Sequence, residues 1–131
     1  MVQKNILGKW NLAGTVSRVA HKHTYTTNIC HKISRTEEIL TQLNLNSLSI
    51  MAKINDLSIK TAEFLETKLG HLGEIGIDFG LDDKANLWIF EVNGKPTKGF
   101  FREAFSTQIV EDFFTTPIQY ACYFHLQKEN I

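Results

Sequence analysis

Asp78, Glu91 and Asn93 are three oxygen-bearing side chains within residues 73–96, a stretch that otherwise has the residue pattern of a β-sheet. Apolar and polar residues alternate on both sides of a polar turn, which predicts a hairpin of two antiparallel strands. Carboxylate and amide oxygens are the ligands that hard divalent cations prefer in proteins. Whether the three side chains can act together depends on how the two strands pair.

The apolar rows of the hairpin restrict its register, because successive side chains of a strand point to opposite faces. A four-residue turn at 83–86 matches the apolar rows in these pairs: Ile77 with Val92, and Phe79 with Phe90. The same register predicts Asp78 directly across from Glu91, with Asn93 one step further along the same face. Two carboxylates with Cβ atoms about 5 Å apart repel each other unless a positive charge lies between them.

A divalent cation bound to this face would relieve the repulsion. The protein offers few ligands here, which favours Mg²⁺ shared with a phosphate over a Ca²⁺ site built from protein alone. The alternative is that Asp78 and Glu91 point into solvent, as charges on half-exposed antiparallel strands commonly do. The spacing of the residues leaves both interpretations open.

The composition is that of one globular domain or a piece of one, with 131 residues that are 43% hydrophobic and 21% charged. The 14 basic and 14 acidic residues cancel, so we expect neither nucleic acid nor a membrane as a partner. Two cysteines without C-x-x-C spacing, and an N-terminal region without a long apolar segment, favour a cytoplasmic protein.

The order of predicted elements is strands, helix, strands, helix, which gives an α+β class with an antiparallel sheet and packed helices. Before the candidate site, the sequence predicts a hairpin of 9–20 with 24–30 and a short helix over 35–43, which a Ser34–Glu37 capping box begins. A long helix over 47–69 follows and ends at Gly70. After the site, a last helix over 118–129 is predicted to begin at Thr116 and Pro117.

The segments GIDFGLD (76–82) and LWIFEVNGKP (87–96) resemble the metal-binding end of an ATP-grasp domain. More narrowly, the chain resembles the YheC/YheD group, described as endospore coat-associated ATP-grasp proteins. The resemblance extends to VQKNILGKWNLAGTVSRVA near the start, to the helix that leads into the candidate site, and to PIQYACYFHLQKE near the end. It therefore covers most of the chain and implies a partial ATP-grasp fold.

The resemblance implies a metal role for three residues. Asp78 would bind one Mg²⁺, Glu91 would bridge two, and Asn93 would bind the second. The cofactors would be Mg²⁺ and ATP, and the substrate an unknown carboxylate that becomes an acyl phosphate before an amine or another nucleophile captures it. Metal-assisted phosphoryl transfer of this kind depends mainly on positioning and charge neutralisation.

The resemblance also implies phosphate contacts. Arg18 matches an arginine that faces the phosphates, and is the candidate catalytic residue as well as an ATP-binding one. Asn28 matches a polar position near the same phosphates, and Lys95 matches a lysine that contacts phosphate or substrate. The run NICHKIS (28–34) departs from the group, which has a serine and a glycine pair after the asparagine. Glycine would let backbone amides approach phosphate more closely.

Residues 1–131 are accordingly interpreted as the C-terminal part of an ATP-grasp domain, without the half that binds adenine. A separate or upstream half would then be a partner, and this chain alone is expected to be inactive. Two functions remain open: a ligase that joins a carboxylate to an amine with Mg²⁺ and ATP, and a non-catalytic remnant or spore-coat-associated structural module. The second would add a spore association to the expected cytoplasmic location.

Overall fold

The structure, a computed structural model, describes residues 1–20 and 30–129. Its strands are β1 (Val2–Lys4), β2 (Trp10–Leu12), β3 (Val16–Ala20), β4 (Cys30–Arg35), β5 (Glu74–Leu81) and β6 (Leu87–Asn93). Its helices are α1 (Thr36–Gln42), α2 (Ser47–Leu69), a 3₁₀ helix (Gly99–Glu103) and α3 (Thr107–Glu129). Within these residues no helix is both long and apolar enough to cross a membrane.

The strands form two antiparallel sheets, so the predicted α+β class is confirmed. One sheet has four strands in the order β2-β1-β5-β6, and the other consists of β3 and β4. Helix α2 packs on one face of the larger sheet, where Ala62 contacts Val2 and Ile75. The other face of β1 is covered by the 3₁₀ helix and α3, which bury Phe101 and Phe113 against Met1 and Val110. The outer face of β5 and β6 is where the candidate site lies.

Helix α2 has the predicted span, and its ends have clear local causes. The side chain of Asn46 accepts a hydrogen bond from the Ser49 amide at the start. At the end, Gly70 adopts a φ of +84°, which glycine tolerates better than other residues. The most buried positions follow a four-residue spacing: Ile50, Ile54, Ser58 and Ala62. Small side chains in the second half of this row bring the helix close to the sheet.

The predicted start of the last helix at Thr116 and Pro117 is wrong, because α3 begins at Thr107 and continues through Pro117. Proline has no amide hydrogen, so it leaves the carbonyl four residues earlier, that of Phe113, without its helical partner. The buried side chain of Gln3 donates to that carbonyl at 2.7 Å. A tertiary hydrogen bond therefore compensates for the proline and ties β1 to α3.

The predicted hairpin of 9–20 with 24–30 is also corrected. Residues 9–20 contain two strands in different sheets, and the chain passes between them at Gly14, where a Cβ atom would lie 2.8 Å from Phe113 Cζ. The strand that pairs with β3 is Cys30–Arg35, and most of 24–30 lies outside the described residues. Ser34 belongs to that strand and is buried, so it opens no capping box, and α1 begins at Thr36.

Candidate metal- and phosphate-binding site

The hairpin of β5 and β6 brings the three predicted metal ligands to one face. Asp78 pairs directly with Glu91, and Gly76 pairs with Asn93, two residues away along each strand. Directly paired residues of antiparallel strands project to the same face, and so do residues two apart along one strand. The predicted opposition of Asp78 and Glu91 is therefore confirmed, as is the pairing of Ile77 with Val92.

A β-bulge follows immediately after the two carboxylates. The register shifts between Asp78 and Phe79, so that Phe79 pairs with Ile89 and not, as predicted, with Phe90. The exposed ring of Phe90 instead lies over Gly80, where a Cβ atom would be 2.4 Å from Phe90 Cε2. Bulges redirect side chains and are common beside functional sites. Here the bulge places an aromatic ring next to the acidic pair.

The turn between the strands differs from the predicted 83–86 by one residue and accounts for the bulge. It spans 82–86, and the Asp82 carboxylate accepts hydrogen bonds from the amides of Lys84 and Asn86, at 3.0 and 2.8 Å. The Asn86 amide and the indole N–H of Trp88 lower the pKa of Asp82 to about 2. Ala85 adopts a φ of +59°, so the turn imposes local backbone strain.

Arg18 extends from β3 to the same face of the hairpin. Its Nη2 atom lies 3.4 Å from Asp78 Oδ2, and its guanidinium carbon lies 5.3 Å from the centroid of the Phe100 ring. The Arg18 side chain is 24% exposed and that of Asp78 is 45% exposed, so the pair is accessible to a ligand and contributes little to stability. One guanidinium beside two carboxylates leaves the face with an excess of negative charge.

The loop after Asn93 is held against the other end of this face. Pro96 packs over Gly76, where a Cβ atom would lie 2.8 Å from Pro96 Cβ. Two residues later, Lys98 Nζ lies 2.8 Å from Glu74 Oε2, and both side chains are largely buried. These contacts hold the loop that follows Asn93 against β5. Sequence reasoning missed them, although the glycine in β5 opposite the asparagine was a signal for close approach.

The other two predicted site residues are Lys95 and Asn28. For Lys95, which is exposed on the loop between Asn93 and Pro96, the structure shows no contact with the described residues of this acidic face. Asn28 lies outside the described residues. Arg18, Asp78, Glu91 and Asn93 are thus the members of the predicted set that the structure assembles on one face.

The donor set suits a hard cation that keeps several other ligands. In residues 1–20 and 30–129 no three His, Cys, Asp or Glu side chains converge as a metal cluster. The candidate ligands on this face are two carboxylates and an amide oxygen. Mg²⁺ is commonly held by one or two protein carboxylates together with water and phosphate. The opposed Asp78 and Glu91, only one of which contacts Arg18, fit that pattern.

A hairpin that presents Asp, Glu and Asn on one face, within antiparallel strands and packed helices, is consistent with the class of ATP-grasp proteins. A family model described as "YheC/D like ATP-grasp" matches residues 1–124. The chain therefore belongs to the YheC/D-like ATP-grasp family.

Two curated proteins of Bacillus subtilis (strain 168) are similar to the chain. Endospore coat-associated protein YheD is 26% identical over 102 residues, covering 75% of this chain and 22% of that protein. Endospore coat-associated protein YheC is 25% identical over 141 aligned residues, covering 98% of this chain and 36% of that protein. The chain thus spans only about a fifth to a third of the length of these relatives. No solved structure matches it significantly.

Proposed function

We propose that this chain supplies the metal- and phosphate-binding part of an ATP-grasp ligase that activates a carboxylate with Mg²⁺ and ATP. The observation that carries the proposal is the direct opposition of Asp78 and Glu91 beside Arg18, on an accessible face of the sheet. Two like charges and one nearby guanidinium form a site that a divalent cation and a polyphosphate can both complement.

In this proposal Asp78, Glu91 and Asn93 would hold Mg²⁺ through their carboxylate and amide oxygens. When bound, Mg²⁺ supplies charge neutralisation for the phosphates. The rest falls to the side chains of this chain. Asp78 orients Arg18 through their ion pair, and the rigid fork of the guanidinium donates to phosphate oxygens during attack by the substrate carboxylate.

Two further residues have supporting roles in the proposal. Lys95 lies just beyond Asn93 on an exposed loop, where its flexible stem can reach a phosphate or the substrate as a point charge. Asn28 precedes β4, the partner of the strand that carries Arg18, and would contact the same phosphates. The adenine would be held by a separate or upstream half, so the complete site belongs to an assembly larger than residues 1–131.

Tripolyphosphate binding tests this proposal, because it probes the phosphate site without a base. In saturating Mg²⁺, calorimetric titration should give similar weak affinities for tripolyphosphate and ATP, since the adenine half is not supplied. Arg18→Met should weaken both by about tenfold, the loss of one charge-assisted contact of about 1.4 kcal/mol. Arg102→Met, at an exposed arginine of the 3₁₀ helix, is the matched control. Equal affinity in both variants would contradict the role of Arg18.

The second candidate function is a non-catalytic module associated with the spore coat. It is favoured by the two relatives, both of which are described as endospore coat-associated proteins. The double variant Asp78→Asn with Glu91→Gln separates the two functions. A structural module would keep its association with spores in this variant, whereas a ligase would lose carboxylate-dependent ATP consumption when the other half is supplied.

A further inference from the structure

Phe100 is an exposed aromatic residue of the 3₁₀ helix, beside the acidic face of the hairpin. Its side chain is 37% exposed and lies outside the core clusters of the described residues, whereas its neighbour Phe101 is 5% exposed and belongs to one of them. The guanidinium carbon of Arg18 lies 5.3 Å from the centroid of the Phe100 ring. A cation within about 6 Å of a ring centroid is attracted by the face of the ring. The contact that Phe100 makes is therefore with a residue of the candidate site and not with the core.

The position of the Phe100 ring is fixed by its neighbours along the chain. Two residues earlier, Lys98 Nζ lies 2.8 Å from Glu74 Oε2, and the Lys98 carbonyl accepts a hydrogen bond from the Phe101 amide. One residue later, Phe101 packs edge-on against Phe113, with ring centroids 4.9 Å apart. Phe100 is thus held between an ion pair to β5 and a ring buried against α3.

Arg18 has two partners at the site, and a bound cation would affect them differently. Its Nη2 atom lies 3.4 Å from Asp78 Oδ2. Because Asp78 is also a proposed ligand of the cation, a cation there would attract the carboxylate and repel the guanidinium. Phe100 offers no oxygen to a hard cation, so its contact with Arg18 persists. The ring is therefore the partner that remains when the ion pair is weakened.

We propose that Phe100 is a positioning residue, which keeps the Arg18 guanidinium at the candidate site while a cation occupies Asp78. The inference rests on the proposed function, since the cation and the phosphate both belong to it. A carboxylate partner takes up N–H donors of the guanidinium, whereas the face of a ring takes up none. Phe100 therefore holds Arg18 in place and leaves its donors free for phosphate oxygens.

A second contact between an arginine and a phenylalanine separates this role from the docking of the smaller sheet. The guanidinium carbon of Arg35, in β4, lies 4.8 Å from the centroid of the Phe105 ring. Phe105 packs against the buried cluster that contains Phe101 and Phe113. This contact already ties the smaller sheet to the segment after the 3₁₀ helix. Loss of the Phe100 ring should consequently leave the sheet docked.

Side-chain NMR of Arg18 tests the inference without any ligand. Asp78→Ala removes the carboxylate that a bound cation would take, so the Nε–H group of Arg18 should stay ordered in this variant through Phe100 alone. Adding Phe100→Leu should lower its order parameter below about 0.6, the range of flexible groups. Phe64→Leu in the same background is the matched control, since this exposed ring on α2 also lies near a cation, Lys68, at 5.9 Å. Equal order of Arg18 with and without the Phe100 ring would overturn the inference.

Calorimetric titration with tripolyphosphate in saturating Mg²⁺ then tests the effect on binding. Phe100→Leu should weaken binding by about two- to fivefold, the size of one exposed contact between a cation and a ring. Phe100→Tyr keeps an aromatic ring and should retain the affinity of the unaltered chain. In the Arg18→Met background, Phe100→Leu should have no further effect, because no guanidinium is left to position.

The outcomes distinguish this inference from the proposed function. An equal loss of affinity from Phe100→Leu with and without Arg18 would overturn the inference, because the ring would then act on the ligand or on the fold. If the unaltered chain fails to bind tripolyphosphate, the proposed function is contradicted. The order of the Arg18 side chain, measured without ligand, would still decide whether Phe100 positions it.

Discussion

Pro96 packs over Gly76 so closely that a Cβ atom on residue 76 would lie 2.8 Å from Pro96 Cβ. Because Gly76 pairs with Asn93, this contact fixes the loop that directly follows a proposed metal ligand. The Lys98–Glu74 ion pair closes the same loop from its other end. The acidic face of the hairpin is thus bounded by a segment that has little room to move.

Gly76→Ala should therefore displace Pro96 and lower stability by roughly 1–3 kcal/mol, the usual cost of forcing an extra methyl group into a packed site. It should also weaken any Mg²⁺ binding that involves Asn93. Gly94→Ala is the matched control, since a Cβ there meets no atom within 4 Å. Chemical denaturation of both variants is the measurement. Equal free energies of unfolding for the two variants would contradict the prediction, because the loop would then accommodate the extra methyl group without loss of stability.

A second prediction concerns the carbonyl of Phe113. Gln3→Met removes its side-chain donor, and leaves it unsatisfied in the interior because Pro117 cannot supply an amide hydrogen. The expected loss is about 1–3 kcal/mol. Adding Pro117→Ala should restore part of that loss, because the backbone amide of an alanine at this position can donate to the same carbonyl within the helix. A double-mutant cycle by urea unfolding measures the coupling, and additive effects would contradict this explanation.

A third prediction concerns the ion pair of Lys4 with Glu66. Burial disfavours the charged forms of both side chains, but their hydrogen bonds favour these forms more strongly. Glu66 accepts hydrogen bonds from Lys4 and Trp10, and these lower its pKa below the usual 4.5. Lys4 donates hydrogen bonds to Glu66 and Tyr120, and these raise its pKa. A carboxyl with a lowered pKa stabilises the fold above about pH 4.5, and this contribution disappears as the pH falls through the folded-state pKa.

Lys4→Met should consequently cost roughly 2–4 kcal/mol at pH 7, because it leaves Glu66 without its partner. The difference from the unaltered chain should shrink as the pH falls below the usual carboxyl range, since Glu66 then becomes neutral in the variant. Urea unfolding between pH 7 and pH 3 tests both points. Lys4→Met combined with Glu66→Gln is the control, and should show a smaller loss with little pH dependence.

The sequence predicted the part of the fold that local patterns determine. The alternation in 73–96 predicted the Asp78–Glu91 pairing, and Gly70 predicted the end of α2. It could not predict the bulge at Phe90, because that depends on which turn closes the hairpin. It also misplaced the start of α3, since the partner that makes Pro117 tolerable, Gln3, is more than a hundred residues away.

In the candidate site, too, the features that depend on local sequence were predictable and those that depend on distant residues were not. The spacing of residues within one hairpin was enough to bring two carboxylates and an amide to one face. The approach of Arg18 depended on the smaller sheet, whose register the sequence did not fix because its second strand was predicted too early in the chain. The loop contact of Pro96 was not expected at all, since proline after a strand indicates only that the strand ends.

The central claim, that Asp78, Glu91 and Asn93 bind Mg²⁺, is tested most directly by calorimetric unfolding with and without the cation. For the unaltered chain, Mg²⁺ at several times its dissociation constant should raise stability by about 1 kcal/mol and the midpoint by about 3–5 °C. Glu91→Gln should unfold at a higher temperature than the unaltered chain in metal-free buffer, because one of two opposed charges is gone, and should show no response to Mg²⁺. Glu63→Gln, at an exposed carboxylate on α2, should keep the full response. An unchanged response in Glu91→Gln would contradict the claim and favour a hairpin whose carboxylates simply face solvent.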